Sequence, residues 1–153
     1  MAFRYKIIRR KDEKLPPARR PQVARVGEEV LSGYIDGFPA ARGEEFLVTE
    51  LRKSRNVRNV SFRMAVGAPR NLPGWLELDV LVETFNGYRA FEVDDMSFVH
   101  RGGREEAESK VKDLRRLTGL QKMGYNVRVI EHIDDDKLQD RQLTRKTLED
   151  LRI

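Results

Sequence analysis

Residues 75–94 constrain the fold more than any other part of the chain, because they have the pattern of two strands joined by a tight turn. Every second position of 75–83 is apolar, which predicts that one strand face carries Leu76, Leu78, Val80 and Val82. Asn86-Gly87 is a strong hairpin signal, and residues 88–94 have the composition of the returning strand. We therefore predict an antiparallel hairpin with one apolar face and one face rich in carboxylates.

Helical periods and turn residues around this hairpin predict six further elements. We expect two strands, over 57–66 and 126–131, and four helices, over 27–35, 41–54, 103–123 and 140–152. The apolar stripe of the long helix consists of Ala107, Val111, Leu114, Leu117 and Thr118. Helices that separate strands are typical of an α/β protein, so we predict a three-layer α/β/α sandwich around a central mixed four-stranded sheet.

Composition excludes several classes of protein. The chain has no cysteine, which excludes a disulfide scaffold, a thiolate metal site and a cysteine nucleophile. It has no run of 18 apolar residues, and no apolar stretch follows its basic N-terminus. We therefore expect neither a membrane span nor a secretory signal, which favours a cytoplasmic protein.

The first 26 residues have the composition of a basic, proline-containing arm, and residues 27–153 are expected to form a single domain. Residues 1–25 carry a net charge of +7, whereas the other 128 residues sum to −2. Such an arm attracts a polyanion and releases counterions on binding. We predict nucleic-acid contacts for Arg9, Arg10, Lys11, Arg19 and Arg20. The alternative is a soluble tail without a specific partner, since basic tails are common.

Four acidic residues fall where unpaired carboxylates are unusual. They lie in the helix over 41–54 and on the polar face of the hairpin, and they are Glu44, Asp79, Glu92 and Asp94. Aspartate is disfavoured inside strands, and like charges on neighbouring strands repel unless a cation lies between them. Mg²⁺ binds such oxygens together with waters and phosphate oxygens, so the cluster predicts a metal site that acts on a phosphodiester. The alternative is a solvated strand face whose acids pair with the many arginines.

Two histidines bear on this cluster. His100 follows the second hairpin strand and is a candidate general base or metal ligand, although a lone histidine is more often an ordinary loop residue. His132 follows the strand over 126–131 and is the weaker candidate. In a chain without cysteine, two histidines support no zinc signature.

A series of motifs resembles one known family. It runs from an aspartate in one strand, through E-V-D in the next and a histidine, to a helix with D-x-R and a G-Y-x-V strand. The residues are Asp79, Glu92-Val93-Asp94, His100, Lys112 to Arg116, and Gly124 to Ile130. This order resembles the restriction-endonuclease-like (PD-(D/E)xK) superfamily, in its very-short-patch-repair endonuclease branch. The similarity covers residues 41–152, and the detailed matches lie within 76–131.

The resemblance implies a metal-dependent DNA endonuclease, with DNA repair, junction resolution and mobile-element cleavage as alternative roles. Such an enzyme hydrolyses phosphodiester bonds with a metal-activated water, and Mg²⁺ or Mn²⁺ is the expected cofactor. The implied metal ligands are Asp79, Glu92 and Asp94, and the implied catalytic residues also include Glu44 and His100. Asp113 would pair with Arg115 or Arg116, and both arginines are candidates for binding nucleic acid. Because nucleases that cut both strands often act as two-fold dimers, a homodimer is a further expectation.

Two positions depart from the family's pattern. Asp95 stands where members usually have glycine, and Asp94 stands where many have the lysine of E-x-K. A helix lysine, Lys110 or Lys112, would then supply that cation, and Lys112 is our candidate. A scaffold can also keep its fold without its chemistry. Two alternatives therefore stay open: a catalytically inactive nucleic-acid-binding protein on a nuclease-like scaffold, and an interaction module of a larger complex.

Overall fold

The structure is a computed structural model that describes residues 31–68, 70, 72–95 and 104–153. The predicted arm, the start of the helix over 27–35 and His100 lie outside the described residues. Where that helix would end, the chain instead forms a short hairpin of β1 (Tyr34–Ile35) and β2 (Phe38–Pro39). The helix prediction was wrong there because the chain reverses at Asp36 and Gly37, whose φ angles are 50° and 85°.

The first helix, α1 (Arg42–Lys53), agrees closely with the prediction over 41–54. Its first turn is closed by the Ala41 N–H group, which donates to Glu44 Oε1 at 2.9 Å. Acidic residues in the first turn and basic residues in the last are placed favourably for the helix dipole. The buried face of α1 includes Leu47 and Leu51, which point towards the sheet.

A four-stranded mixed sheet lies at the centre of the structure. Its strands, in order across the sheet, are β3 (Val57–Gly67), β4 (Trp75–Thr84), β5 (Gly87–Asp94) and β6 (Ile130–Asp134). The first three strands pair antiparallel, and β6 runs parallel to β5. The predicted hairpin is confirmed, because β4 and β5 pair directly up to the turn.

Helices pack against both faces of this sheet. The first face is covered by α1 and α3 (Arg141–Asp150), and the second is covered by α2 (Arg104–Lys122). The two hydrophobic cores alternate along β5, where Phe91 belongs to the first and Ala90 to the second. The α/β class and the mixed four-stranded sheet are confirmed, and this arrangement is compatible with the predicted sandwich.

The predicted faces of β4 are wrong in one respect. Leu78 packs in the second core, whereas Val80 packs in the first, so two alternate residues point to opposite faces. The neighbouring strand reverses at the same level, since Phe62 belongs to the first core and Met64 packs against the second. Between them, Arg63 has a φ of 52°, outside the β region, and this conformation interrupts the regular alternation.

Helix α2 turns a different face to the sheet from the one predicted. Val111 and Leu114 belong to the predicted apolar stripe, yet they are 55% and 64% exposed. The residues that face the sheet are Asp113, Arg116, Leu117 and Leu120. Two of them are charged, and their partners lie on the strands, which apolar periodicity cannot anticipate.

Within the described part of the chain, no helix is long and apolar enough to span a bilayer.

The connection from α2 to β6 explains why the last strand starts later than predicted. The chain leaves α2 through Gly124, whose φ is 94°, and the Tyr125 N–H group donates back to the Leu120 carbonyl at 2.9 Å. Val127 is then buried in the second core before the chain reaches the sheet edge. Pairing with β5 therefore begins only at Ile130, and the strand predicted over 126–131 is displaced.

Candidate functional site

Asp79 and Glu92 lie side by side on the two central strands, β4 and β5. The Asp79 N–H group donates to Glu92 Oε2 at 2.6 Å. In return, the Val93 N–H group donates to Asp79 Oδ2 at 2.9 Å. Each carboxyl group is therefore fixed by the backbone of the strand that carries the other, and the register of the hairpin holds the pair together.

This carboxyl pair is poorly suited to carry two negative charges. Burial, followed by the charge of Asp79, raises the pKa of Glu92 to about 8. Burial also raises the pKa of Asp79 above its ordinary value. Glu92 thus tends to hold a proton at neutral pH unless a further cation compensates the charge of the pair.

Glu44 joins the pair from the first face of the sheet. Its pKa is raised to about 7, mainly by burial and then by the charge of Asp79. The same carboxyl group accepts the Ala41 N–H hydrogen bond that closes the first turn of α1. The structure therefore places Glu44 within electrostatic reach of Asp79 and fixes it at the start of the helix.

Arg116 connects α2 to the carboxyl pair. Its Nη2 lies 3.1 Å from Glu92 Oε1, and its Nη1 donates to Asp113 Oδ1 at 2.9 Å. Its Nε donates to the Glu77 carbonyl at 2.8 Å. Arg115, by contrast, is exposed and makes one contact of 3.4 Å with the Gly74 carbonyl. Of the two arginines considered for pairing with Asp113, the structure selects Arg116.

A histidine bridges two carboxylates at the far end of the site. His132 Nδ1 lies 2.9 Å from both carboxylate oxygens of Asp94, and its Nε2 lies 2.6 Å from Asp113 Oδ2. The hydrogen bond to Asp94 is the largest of the effects that raise the pKa of His132 to about 9. The side chain is therefore an imidazolium at neutral pH, and it occupies the position of a cation between two acids.

The other predicted site residues have separate outcomes. Lys112 is exposed on α2, and no contact joins it to the acidic cluster within the described residues. His100 and the five arm residues Arg9, Arg10, Lys11, Arg19 and Arg20 lie outside the described residues. Asp94 is bonded to His132 rather than to the carboxyl pair. Over 31–68, 70, 72–95 and 104–153, no group of three or more acidic, histidine or cysteine residues is arranged to hold a metal ion.

Sequence reasoning missed a second charged cluster beside the pair. Arg63 Nε lies 2.5 Å from Glu77 Oε1, and Arg70 Nη1 lies 3.0 Å from Glu77 Oε2. Glu77 had one available signal, because it stands two residues before Asp79 on the same strand. The role of Arg63 depends on an unusual backbone conformation, for which the sequence gives no signal.

Comparisons with known proteins assign no family to this chain. Searches of protein-family models, of curated proteins and of solved structures found no match. A function is therefore inferred from the residues of the site and their contacts.

Proposed function

We propose that this chain is a divalent-metal-dependent phosphodiesterase that cleaves DNA, built on a restriction-endonuclease-like fold. The observation that carries the proposal is the reciprocal bonding of Asp79 and Glu92, which holds two carboxyl groups together on neighbouring strands. The motif resemblance supports it. So does the mixed four-stranded sheet with helices on both faces, which agrees with the sandwich that the resemblance implies.

The carboxyl pair fits a hard divalent cation. Mg²⁺ is usually held by one or two carboxylates, and waters and substrate phosphate oxygens complete its coordination. Asp79 and Glu92 would be those ligands, and a pair suffices although no group of three is assembled in the described residues. Burial raises the pKa of both groups, the charge of Asp79 raises the pKa of Glu92 further, and a bound cation would relieve that repulsion. Asp94 as a third ligand stays a prediction, because His132 holds it in this arrangement.

The residues around the pair have distinct roles in the proposed reaction. A bound divalent ion polarises a phosphodiester and makes water a better nucleophile. Arg116 orients the Glu92 carboxylate through Oε1, so that the two strand acids keep one geometry. Glu44 exchanges a proton at its carboxyl group near neutral pH, because its pKa is raised to about 7, which suits a general base.

Charge favours DNA as the phosphodiester. The first 25 residues carry a net charge of +7, and a polybasic segment binds the phosphate backbone by releasing counterions. On α2, Lys112, Arg115 and Lys122 are exposed, so the helix that supplies Arg116 also presents cations to solvent. Together they give a negatively charged polymer two sets of basic residues to bind.

Cleavage of supercoiled plasmid tests this proposal. The full chain is incubated with the plasmid in Mg²⁺, in Mn²⁺ and in EDTA, beside Asp79→Asn and Glu83→Gln. Asp79→Asn removes one charge of the pair with little change of shape. Glu83→Gln is the matched control, since Glu83 lies on the same strand and pairs with Arg58 at 3.8 Å, away from the pair.

The proposal predicts metal-dependent nicking by the wild-type chain and by Glu83→Gln. Asp79→Asn should lose it and should bind DNA at least as tightly, because a negative charge has been removed. Cleavage that persists in EDTA, or that Asp79→Asn retains in full, would contradict the proposed site.

A second function is favoured by one observation. His132 already bridges Asp94 and Asp113 as a cation, which leaves one predicted ligand occupied by protein. On the same scaffold, the chain would then bind nucleic acid without cleaving it. Tight, salt-sensitive DNA binding by the wild-type chain, with no cleavage in either metal, would support this function over the first.

A further inference from the structure

Arg63 has a backbone conformation that an arginine rarely adopts. Its φ of 52° lies in the left-handed region, where a Cβ atom meets the following carbonyl oxygen and strains the chain. The other two non-glycine residues with positive φ among those the structure describes are Asp36, in a turn, and Arg152, next to the last residue. Arg63 alone of the three lies inside a strand, 11 residues long. Such strain persists only where the surrounding structure enforces it, and it often occurs at functional sites.

The strained residue faces the acidic site. The pairs Phe62–Val80 and Met64–Leu78 bracket Arg63 and set it opposite Asp79 on the neighbouring strand. Its side chain is 19% exposed, and its charge lowers the pKa of both Glu44 and Asp79. The interrupted alternation of β3 therefore brings a guanidinium group beside the carboxyl groups that the proposed reaction uses.

The ion pair with Glu77 does not account for this conformation. Glu77 already has Arg70 at 3.0 Å, and Arg70, from the loop after β3, also donates from Nη2 to the Arg63 carbonyl at 2.6 Å. Arg63 uses Nε to reach Glu77, and its Nη1 makes only a long contact of 3.5 Å with the Pro39 carbonyl. In the part of the chain that the structure describes, its Nη2 has no hydrogen-bond partner. The outer edge of the guanidinium group thus keeps donors for a further acceptor.

We propose that Arg63 is a catalytic residue whose guanidinium group contacts the scissile phosphate and stabilises the charge that develops on it. In the hydrolysis, a water oxygen bonds to phosphorus, the P–O ester bond breaks, and one proton of the water ends on the leaving oxygen. Arg63 keeps its proton throughout and acts by fixed charge, which is an effective form of stabilisation in a partly buried site. This inference rests on the proposed phosphodiesterase function.

Substitutions at Arg63 separate strain from function. Arg63→Gly and Arg63→Asn both remove the guanidinium group. Glycine adopts a positive φ without strain, and asparagine tolerates the left-handed region better than most residues. Arg63→Lys keeps a positive charge. Arg58→Gln is the matched control, because Arg58 lies on the same strand and its partner Glu83 is away from the carboxyl pair. Plasmid cleavage rates at several DNA concentrations give kcat and KM, and circular dichroism gives Tm.

We expect Arg63→Gly and Arg63→Asn to keep Tm within about 3 °C of wild type, or to raise it, since relief of strain offsets the lost ion pair. Their kcat should fall by roughly 10²-fold with little change in KM, as when a single charge-stabilising donor is removed elsewhere. Arg63→Lys should recover part of the loss, and Arg58→Gln should cleave at close to the wild-type rate.

Three results would overturn the inference. The first is cleavage by a folded Arg63→Gly or Arg63→Asn chain at the rate of an active wild-type chain. That result would exclude the role of Arg63 but not the phosphodiesterase function. The second is a fall in kcat that tracks a fall in Tm across all three Arg63 variants, which makes the residue structural. The third is absence of cleavage by the wild type in either metal, which removes the phosphodiesterase function and this role together.

Discussion

Single residues set the charge balance of the site, and Arg116 is central among them. Its side chain is 14% exposed and contacts the carboxylates of Glu92 and Asp113 and the Glu77 carbonyl at once. A guanidinium group is suited to this task because its donors form a planar fork. One arginine thereby joins a helix to both central strands and sets the orientation of one acid of the pair.

Removal of Arg116 should therefore destabilise the fold. Arg116→Met leaves Glu92 without its ion-pair partner and Asp113 with His132 alone, and we expect a loss of about 2 kcal/mol in the free energy of unfolding. Arg115→Met is the control, since Arg115 is the exposed neighbour of Arg116. This substitution should change the free energy of unfolding by less than about 0.5 kcal/mol. Urea unfolding measures both. Equal effects of the two variants would contradict the assigned role of Arg116.

The raised pKa values predict that stability falls as pH rises. An acid whose pKa rises on folding binds its proton more tightly in the native state than in the unfolded state. The stabilisation from Glu92 is therefore lost as pH rises from the ordinary pKa of a glutamate, 4.5, to the raised pKa of about 8. His132 acts in the same direction: its contribution is complete below pH 6.5 and is lost as pH rises through about 9. Urea midpoints should therefore decrease between pH 6.5 and 9. His132→Gln should show a shallower decrease, and a midpoint that rises over this range would oppose the proposed charge arrangement.

At the scale of elements, the close contact between α2 and β3 sets how the helix lies on the sheet. The nearest atoms to a Cβ at Gly119 would be the Gly67 nitrogen at 2.7 Å and the Val66 carbonyl carbon at 3.2 Å. Both belong to the backbone, which cannot move aside like the end of a side chain. This contact also holds the helix where Arg116 reaches the strands.

Gly119→Ala tests this contact by the sign of its effect. At an exposed helix position, alanine in place of glycine gains up to about 1 kcal/mol through helix propensity. At Gly119 we expect a loss of about 1–3 kcal/mol, because the strand backbone must shift. Thr118→Ala is the control at the adjacent exposed position. Thermal unfolding gives both values, and a more stable Gly119→Ala chain would contradict the packing.

The sequence predicts the elements better than it predicts their faces. The limits of α1, β3, β4, β5 and α2 follow from apolar periods, caps and Asn86-Gly87, because these signals are local. The face that α2 turns to the sheet does not follow from these signals, because Asp113 and Arg116 are half-buried against partners distant in sequence, His132 and Glu92. The reversal at Arg63 has no sequence signal, and His132 meets Asp94 only through the parallel pairing of β5 and β6. In the site, the pair Asp79 and Glu92 could be predicted, whereas its cations could not.

For the whole molecule, charge is distributed unevenly along the chain. The basic residues of 1–25 give that segment its net charge of +7, and the remainder is slightly acidic. The acidic site and the basic segment would have complementary tasks, since one positions a cation and the other attracts the phosphate backbone.

Neutralising the arm should weaken DNA binding in a salt-dependent way. Replacing Arg9, Arg10, Lys11, Arg19 and Arg20 with glutamine in the full chain removes five positive charges. The slope of log affinity against log salt should become shallower by about 4.5, if each cation neutralises one phosphate. Fluorescence anisotropy with a labelled duplex at several salt concentrations gives the slope. An unchanged slope would mean that the arm has another partner.

Direct titration with Mn²⁺ is the most immediate test of whether Asp79 and Glu92 hold a divalent cation. Calorimetry at pH 8 on the full chain, without DNA, should show saturable binding by the wild type and by Glu83→Gln. The same titration should show none, or at least tenfold weaker binding, for Asp79→Asn. Binding of equal strength by Asp79→Asn and the wild type, or no binding by any of the three chains, would contradict the assignment of the carboxyl pair as a metal site.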